Sequence, residues 1–191
     1  MAELRDPRIE LLGYDPYDGL NCPLFRLPGL SGLRMLNMGW IQFCKRLPIN
    51  MRPLLGIRRS ANPKGLALLL LSHDLRLNAG QPGLPEALAT EIESLLFSLK
   101  DPRYGAWGYG FPWQNRSFFF PKGLSNTVVS SFVGQAMLRR LERTGDNLYF
   151  EHARDIRDFF LNDLARSEHE DGVCLSYSAL DRSSIINTSL L

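Results

Sequence analysis

Residues 62–100 read NPKGLALLLLSHDLRLNAGQPGLPEALATEIESLLFSLK, and this stretch predicts two helices joined by a short turn. Asn62 is a favourable helix cap and Pro63 suits the first helical position, so a helix begins there. The helix Lys64–Leu77 is apolar almost all round, which predicts burial on more than one face. After a break at residues 80–83, an amphipathic helix spans Pro85–Leu99. We expect its inward residues to be Leu88, Ile92, Leu95 and Leu96, and its outward residues to be Glu86, Glu91 and Glu93.

The same order of helices returns further along the chain. Asn126 precedes a mostly apolar helix, and the amphipathic helix that follows has at inward spacing Phe150, Ala153, Ile156 and Phe160. Asn187 stands at the start of a third apolar segment, so helix starts recur at near-equal intervals. A long period of this kind indicates stacked helix hairpins with the apolar helices inside. The alternative is an irregular helical domain in which the spacing is coincidental.

The predicted fold class is therefore all-α, made of helix-hairpin repeats, with short β segments in the loops between hairpins. Residues 1–30 are rich in turn residues and predict an irregular N-terminal arm, while residues 31–191 form the helical domain. Within that domain we expect a first helix from Ser31 to Leu47, which Pro48 ends. Residues 49–60 contain proline and glycine and predict a loop.

Charge and metal-ligand residues exclude several classes of function. Lys and Arg total 22 against 20 for Asp and Glu, and the densest basic clusters are the pairs Arg58-Arg59 and Arg139-Arg140. Nucleic-acid domains concentrate basic residues on one face or stripe. We interpret these pairs as solvated positions rather than a phosphate-binding patch, and expect no nucleic-acid partner. The three cysteines and three histidines are scattered, so we expect no metal and no cofactor.

The N-terminus and the apolar runs bear on the location of the protein. The first residues are charged and lack the apolar region of a signal peptide. The longest apolar run, Leu66–Leu71, is far shorter than the ~20 residues that span a bilayer. We therefore expect a cytoplasmic protein without a membrane span.

The long loop between the two hairpins, residues 101–125, is rich in aromatic residues and glycine. Loops of this length without secondary structure are usually functional. Aromatic rings suit the apolar faces of sugars, and amide or guanidinium groups suit their hydroxyl edges. We therefore predict that a saccharide is bound by Trp107, Trp113, Gln114 and Arg116. For Trp107 and Phe118–Phe120, burial as local core is an equally good interpretation.

A second long loop follows the second hairpin. Its alternating apolar and polar residues predict a short strand, paired with the segment Trp107–Phe111. Because the two loops occupy the same place in the repeat, Tyr177 and Asp181 should lie on the same rim as Trp113 and Arg116. We therefore add Tyr177 to the predicted saccharide-binding residues.

Glycoside hydrolysis commonly uses two carboxylates. The carboxylates in or near the loops are Asp15, Asp18, Glu168, Glu170, Asp171 and Asp181, and no spacing selects a pair among them. We take Asp181 and Asp171 as candidate acid/base residues. Asp181 stands just before a predicted helix, so a role as a helix cap is the alternative.

Three stretches carry a resemblance to a known superfamily. Trp107–Gln114 (WGYGFPWQ), Thr144–Tyr149 (TGDNLY), and Cys174–Ser178 (CLSYS) followed by residues 187–191 (NTSLL) resemble the six-hairpin α/α-toroid proteins. That superfamily includes glycosidases, polysaccharide lyases and N-acylglucosamine 2-epimerase-like proteins. The chain is especially similar to toroid proteins associated with bacterial surface-polysaccharide biosynthesis. Over residues 62–191 the resemblance implies part of an (α/α)6 toroid, with a saccharide site at one end of its helices.

The chain departs from that superfamily in two respects. It holds at most three hairpins' worth of inner helices, about half of a ring. None of its histidines falls in the aromatic loops, which argues against epimerase-like chemistry. An uncovered last helix would expose a large apolar patch. We therefore expect either a continuation beyond Leu191 or a second copy of the chain that covers it.

Two functions from different classes follow from these observations. The first is a carbohydrate-active protein that binds or acts on an oligosaccharide or polysaccharide, as a glycoside hydrolase or a lyase-like enzyme. The second is a non-catalytic helical-repeat interaction protein that oligomerises through its uncovered C-terminal helix.

Overall fold

The structure is a computed structural model, and it describes residues 10–27, 32–116, 118–170 and 172–182. Helices dominate these ranges and the strands are few and short, so the predicted all-α class is confirmed as a mostly helical fold. The α-helices of the described residues are α1 (Arg34–Arg46), α2 (Pro63–Asn78), α3 (Glu86–Ser98), α4 (Thr127–Thr144) and α5 (Asn147–Asp158). A π-helical turn, Phe159–Asp163, extends α5, and two short 3-10 turns precede α1 at Asp18–Asn21 and Pro23–Arg26. The strands are β1 (Trp113–Gln114), β2 (Phe119–Phe120), β3 (Arg166–His169) and β4 (Gly172–Leu175).

Side-chain caps confirm both predicted helix starts. The side-chain oxygen of Asn62 accepts a hydrogen bond from the backbone N–H two residues on, at 3.0 Å. Asn126 does the same for the backbone N–H of Val129, at 2.9 Å. At its other end α4 stops at Gly145, whose φ of 70° lies in the left-handed region that glycine adopts without a Cβ penalty. The side chain of Asp146 then caps α5, so a short turn joins the two helices.

The helices pair as two hairpins, α2 with α3 and α4 with α5. The hairpins pack together through α2 and α4, so the two mostly apolar helices meet at the centre. The core of this contact includes Leu66, Ala67, Leu70, Ile92, Leu96, Val129, Val133 and Met137. The predicted third helix start at Asn187 lies outside the described residues, as does Leu191.

Two positions in the amphipathic helices differ from the prediction. Phe150 is 46% exposed, and Tyr149 is buried in its place because the apolar face of α5 begins one residue earlier. Glu93 of α3 faces inward rather than outward, since it accepts a hydrogen bond from the Tyr149 hydroxyl at 2.7 Å. Glu93 also pairs with the buried Arg140 at 2.6 Å, so its charge is compensated where it lies.

A buried charge network joins the two hairpins. Asp74 of α2 is fully buried, and its Oδ1 accepts hydrogen bonds from Arg140 at 3.1 Å and from Arg143 at 2.6 Å. Arg140 continues the network to Glu93 of α3. Buried charges are tolerated only when they are paired and hydrogen-bonded, and here one carboxylate serves two guanidinium groups of α4.

The helix α2 buries one side and leaves apolar residues on the other. Leu66, Ala67 and Leu70 are buried, whereas Leu68 and Leu75 are exposed. The prediction that α2 is covered on more than one face is therefore not met within the described part of the chain.

The N-terminal arm is attached to α1 and to the segment after it. Asp18 is buried and forms an ion pair with Arg52 at 2.6 Å. Burial raises the pKa of Asp18, and the adjacent Arg52 opposes that rise. The indole Nε1 of Trp40 in α1 donates to the carbonyl oxygen of Gly19 at 3.0 Å. Residues 10–27 are thus fixed against the helical part of the molecule.

The segment between α1 and α2 is a loop, as its proline and glycine predict. α1 begins at Arg34, while the predicted start at Ser31 lies outside the described residues. Gly13 and Ser60 exchange two backbone hydrogen bonds, of 3.0 and 2.9 Å. This bridge brings the arm alongside the start of α2.

The two long loops each fold into a short antiparallel hairpin. β1 pairs with β2, and β3 pairs with β4. The predicted strand in the second loop is therefore confirmed, but its predicted partner, Trp107–Phe111, is wrong. β3 and β4 pair with each other in a four-residue antiparallel register, from Arg166 opposite Leu175 to His169 opposite Gly172.

The start of α4 lies between the two loops and binds both. Asn126 donates its backbone N–H to the carbonyl oxygen of Trp107, and Thr127 donates to that of Tyr177, each at 3.0 Å. Within the described ranges, none of the helices combines the length and the hydropathy needed to cross a bilayer.

Candidate functional site

A cleft of about 450 Å³ opens beside the N-terminal end of α2. Its aromatic lining consists of Tyr17, Tyr109, Phe111, Trp113 and Tyr177, and its polar lining consists of Asp15, Asn62 and Lys64. We call it the aromatic cleft. Its volume lies in the range of small-molecule binding sites, which are mostly apolar with a few placed polar groups. It is therefore the candidate functional site.

The aromatic residues of the cleft are held by one another. Trp113 of β1 stacks on Phe120 of β2, with ring centroids 4.7 Å apart and planes inclined by 6°. Tyr177 meets Trp113 edge to face at 5.9 Å, and Tyr109 stacks on Phe111 at 5.3 Å. Aromatic pairs at these separations and angles attract each other beyond simple burial. The rings therefore present a fixed surface to the cleft.

Two of the three tyrosine hydroxyls of the cleft, those of Tyr109 and Tyr177, stay protonated over a wide pH range. Burial raises the pKa of Tyr177 strongly, and the neighbouring Tyr109 adds to the rise. Burial also raises the pKa of Tyr109, while its hydrogen bond with Tyr177 opposes the rise. Both groups therefore serve as neutral hydrogen-bonding groups rather than as phenolates.

Three polar side chains enter the cleft from the arm and from the start of α2. The Asp15 carboxylate accepts from the Asn62 amide at 3.1 Å through Oδ2 and from the Tyr17 backbone N–H at 2.9 Å through Oδ1. The Lys64 ammonium lies 4.2 Å from the centre of the Phe132 ring, a cation–π contact. The cleft thus combines a carboxylate, an amide and an ammonium group beside its aromatic surface.

The structure brings two of the predicted saccharide-binding residues, Trp113 and Tyr177, together in the aromatic cleft. Trp107 lies elsewhere: it is fully buried in the main core, and its Nε1 donates to the carbonyl oxygen of Leu96 at 2.8 Å. A ring with no exposed surface has no face to offer a ligand. The alternative interpretation of Trp107, as local core, is the one that its position supports.

Gln114 and Arg116 do not line the aromatic cleft. The Gln114 amide donates to the carbonyl oxygens of Asn115 and Phe118, each at 2.8 Å, and so holds the β1–β2 turn. Arg116 is exposed in that turn. Their predicted role in binding a saccharide has no support from this geometry.

Of the two predicted acid/base residues, Asp171 lies outside the described residues. Asp181 is buried behind Tyr177, and its Oδ2 accepts from the Tyr177 backbone N–H at 3.4 Å. Its own backbone N–H donates to the carbonyl oxygen of Ser178 at 3.2 Å. Asp181 therefore forms a turn that positions Tyr177, and its catalytic role stays a prediction.

Residues that the sequence did not single out complete the site. Asn62 was predicted only as a helix cap, and the cap oxygen leaves its amide free to bind Asp15. Asp15 was one of several loop carboxylates, and Lys64 was one residue of a helix. The Gly13–Ser60 backbone bridge brings these residues together, and no local sequence pattern predicts that bridge.

The described ranges contain no group of three or more His, Cys, Asp or Glu side chains that could hold a metal ion. Comparisons with protein-family models, with curated proteins and with solved structures gave no significant match to this chain.

Proposed function

We propose that this protein binds an oligosaccharide in the aromatic cleft, as a carbohydrate-handling protein of the α/α-toroid kind. The observation that carries the proposal is the fixed aromatic surface of Trp113, Tyr109 and Phe111 beside the polar groups of Asp15 and Asn62. Two hairpins that meet through their first helices support the toroid part of the proposal.

The chemistry of a sugar matches this lining. A pyranose ring has an apolar face of C–H groups that packs on an aromatic ring, and hydroxyls around its edge that donate and accept hydrogen bonds. Trp113 offers the ring surface, since it is only half-buried and lines the cleft. Asp15 accepts from hydroxyl donors, while Lys64 donates to hydroxyl oxygens.

The geometry supports binding better than hydrolysis. Glycoside hydrolysis commonly needs two carboxylates on either side of the scissile bond. Among the described residues that line the aromatic cleft, Asp15 is the one carboxylate. Glu10 lies in the neighbouring cavity and is paired with Arg59. Hydrolase or lyase activity is therefore the secondary part of the proposal, with Asp15 as its first candidate residue.

Isothermal titration of the protein with a panel of neutral and acidic oligosaccharides tests the proposal. We expect saturable binding of at least one oligosaccharide and a loss of at least about fivefold in affinity for Trp113→Ala, because stacking on an aromatic ring contributes about 1 kcal/mol or more. The matched control is Phe150→Ala, which removes an exposed aromatic ring of α5 remote from the cleft. Equal affinities for parent and Trp113→Ala, with both folded, would contradict the proposal.

The second candidate function is a non-catalytic interaction protein. Exposed apolar side chains cluster on and after α1, where Met35 is 75% exposed and Leu54 is 80% exposed. An apolar groove beside them is lined by Trp40, Phe43, Leu47, Pro48, Ile49, Met51 and Leu55. Apolar patches of this kind often mark interfaces between proteins. Sedimentation velocity over a range of protein concentrations separates a monomer from a self-associating chain.

A further inference from the structure

A second cleft, lined in part by Asn21 and Pro23 of the arm, is basic. It has a volume of about 740 Å³, and its lining includes Arg58, Arg59, Ser60 and Lys122. We call it the basic cleft. No carboxylate is among its lining residues, although the chain as a whole carries a formal charge of only +2. The positive charge is therefore local to this concavity.

Two of the three cations, Arg58 and Lys122, have no acidic partner among the described residues. Arg59 is paired with Glu10 and lies over the Tyr14 ring, so its charge is partly compensated. Neither Arg58 nor Lys122 forms an ion pair with any acidic residue in the described part of the chain. Like charges that face one concavity repel each other unless an anion lies between them. The cleft thus has positive charge available for a ligand.

The backbone that carries Arg58 is fixed on both sides. Ile57 before it is buried and donates its N–H to the Arg52 carbonyl oxygen at 3.0 Å. Gly56 has a φ of +68°, and a Cβ there would lie 3.2 Å from the Pro23 ring, so this tight turn favours glycine. Ser60 after it is held by the backbone bridge to the arm. The backbone that carries the Arg58 side chain is therefore held in one conformation before a ligand binds.

Lys122 reaches the same cleft from a different part of the chain. It lies in the turn before α4, where Gly123 has a φ of +78° and donates its N–H to the Tyr109 carbonyl oxygen at 2.8 Å. Two fixed segments, distant in sequence, thus place cations on one cavity. The sequence alone favoured solvated positions for the pair Arg58-Arg59, but the convergence of Arg58 with Lys122 on one cavity favours a ligand site instead.

We infer that the basic cleft binds a small molecule that carries a phosphate or diphosphate group, with Arg58 and Lys122 neutralising the oxyanion. Arg58 supplies the planar fork that binds phosphate oxygens in pairs, Lys122 supplies a point charge, and Ser60 adds a hydroxyl donor. Preorganised donors reduce the entropy lost on binding. This inference does not depend on saccharide binding in the aromatic cleft.

Calorimetric titration with inorganic pyrophosphate at constant ionic strength, using potassium chloride as the reference salt, tests the inference. We expect one saturable site, and for the double variant Arg58→Gln/Lys122→Gln an affinity at least about tenfold lower, because two charge-assisted contacts are lost. Both side chains are exposed, so the double variant should fold as the parent does.

The control is the double variant Arg103→Gln/Arg157→Gln, which changes the net charge equally at exposed positions outside the basic cleft. We expect its affinity for pyrophosphate to stay within about twofold of the parent value. Equal losses in the two double variants would show a diffuse charge effect and overturn the inference. Absence of saturable pyrophosphate binding by the parent would overturn it as well.

Discussion

His152 shows how the surroundings of one residue create a pH-dependent contribution to stability. Its ring packs against that of Phe97 with centroids 4.4 Å apart and planes inclined by 35°, and the Lys100 ammonium donates to its Nδ1 at 3.0 Å. Burial lowers the pKa of His152 from 6.5, Lys100 lowers it further, and Asp155 opposes the change. The folded protein therefore favours the neutral ring.

The preference of the folded protein for the neutral His152 ring determines whether the free energy of unfolding rises or falls with pH. As the pH falls through the unfolded pKa, the unfolded chain takes up a proton at His152 that the folded chain resists, so the free energy of unfolding falls. Between about pH 7.5 and pH 5.5, we expect the free energy of unfolding to decrease less for His152→Gln than for the parent. Urea unfolding of parent and variant across this range measures the difference, and identical pH profiles would contradict it.

At the residue scale, the sequence predicted the kinds of side chain in the site better than their positions. Trp113 and Tyr177 lie in the aromatic cleft as predicted, whereas Trp107, from the same motif, is core. An aromatic, glycine-rich loop must bury some of its rings to hold the others, and composition does not say which. Asp15 reaches the site because two segments distant in sequence pair through their backbones. Local sequence patterns do not predict such pairing.

At the scale of elements, the loop before α4 depends on a close approach of two backbones. Gly108 pairs with Ser125, and a Cβ on Gly108 would lie 1.8 Å from the carbonyl oxygen of Leu124. That distance is far inside van der Waals contact and involves backbone rather than a flexible side chain. The loop therefore requires glycine at this position.

We expect Gly108→Ala to lower the free energy of unfolding by at least about 2 kcal/mol, because the two segments must separate to admit the methyl group. Gly13→Ala is the control, since a Cβ there meets nothing within 4 Å. Thermal or urea unfolding compares the two. A Gly108→Ala variant as stable as the control would show that the loop accommodates the methyl group.

The helices themselves were the most predictable elements. Their starts depend on caps at Asn62 and Asn126, which are local signals, and their pairing follows from the apolar period. The inward turn of Glu93 was not predictable, because its partners Arg140 and Tyr149 come from the other hairpin.

At the scale of the whole molecule, the Asp74 network links the two hairpins in addition to their shared apolar core. Replacing Asp74 by Ala leaves the buried Arg140 and its neighbour Arg143 without a shared carboxylate. Removing one partner of a buried ion pair costs about 3 kcal/mol or more. We expect Asp74→Ala to lower the free energy of unfolding by about that amount, measured by urea denaturation.

The control for this prediction is Asp163→Ala, at an exposed aspartate for which the structure shows no ion pair in its described part. We expect that change to stay within about 0.5 kcal/mol of the parent. Comparable losses for Asp74→Ala and Asp163→Ala would mean that the network contributes little to the joining of the hairpins.

The N-terminal arm affects how the ligand preference of this protein would change in evolution. It supplies Asp15 and Tyr17 to the aromatic cleft and Asn21 and Pro23 to the basic cleft, yet among its described residues only Leu11 packs against the core between the hairpins. Substitutions in these few residues would change the chemistry of both clefts while the helices keep their packing. New ligand preferences are thus open to evolution through a short, irregular segment, with little risk to the fold that carries it.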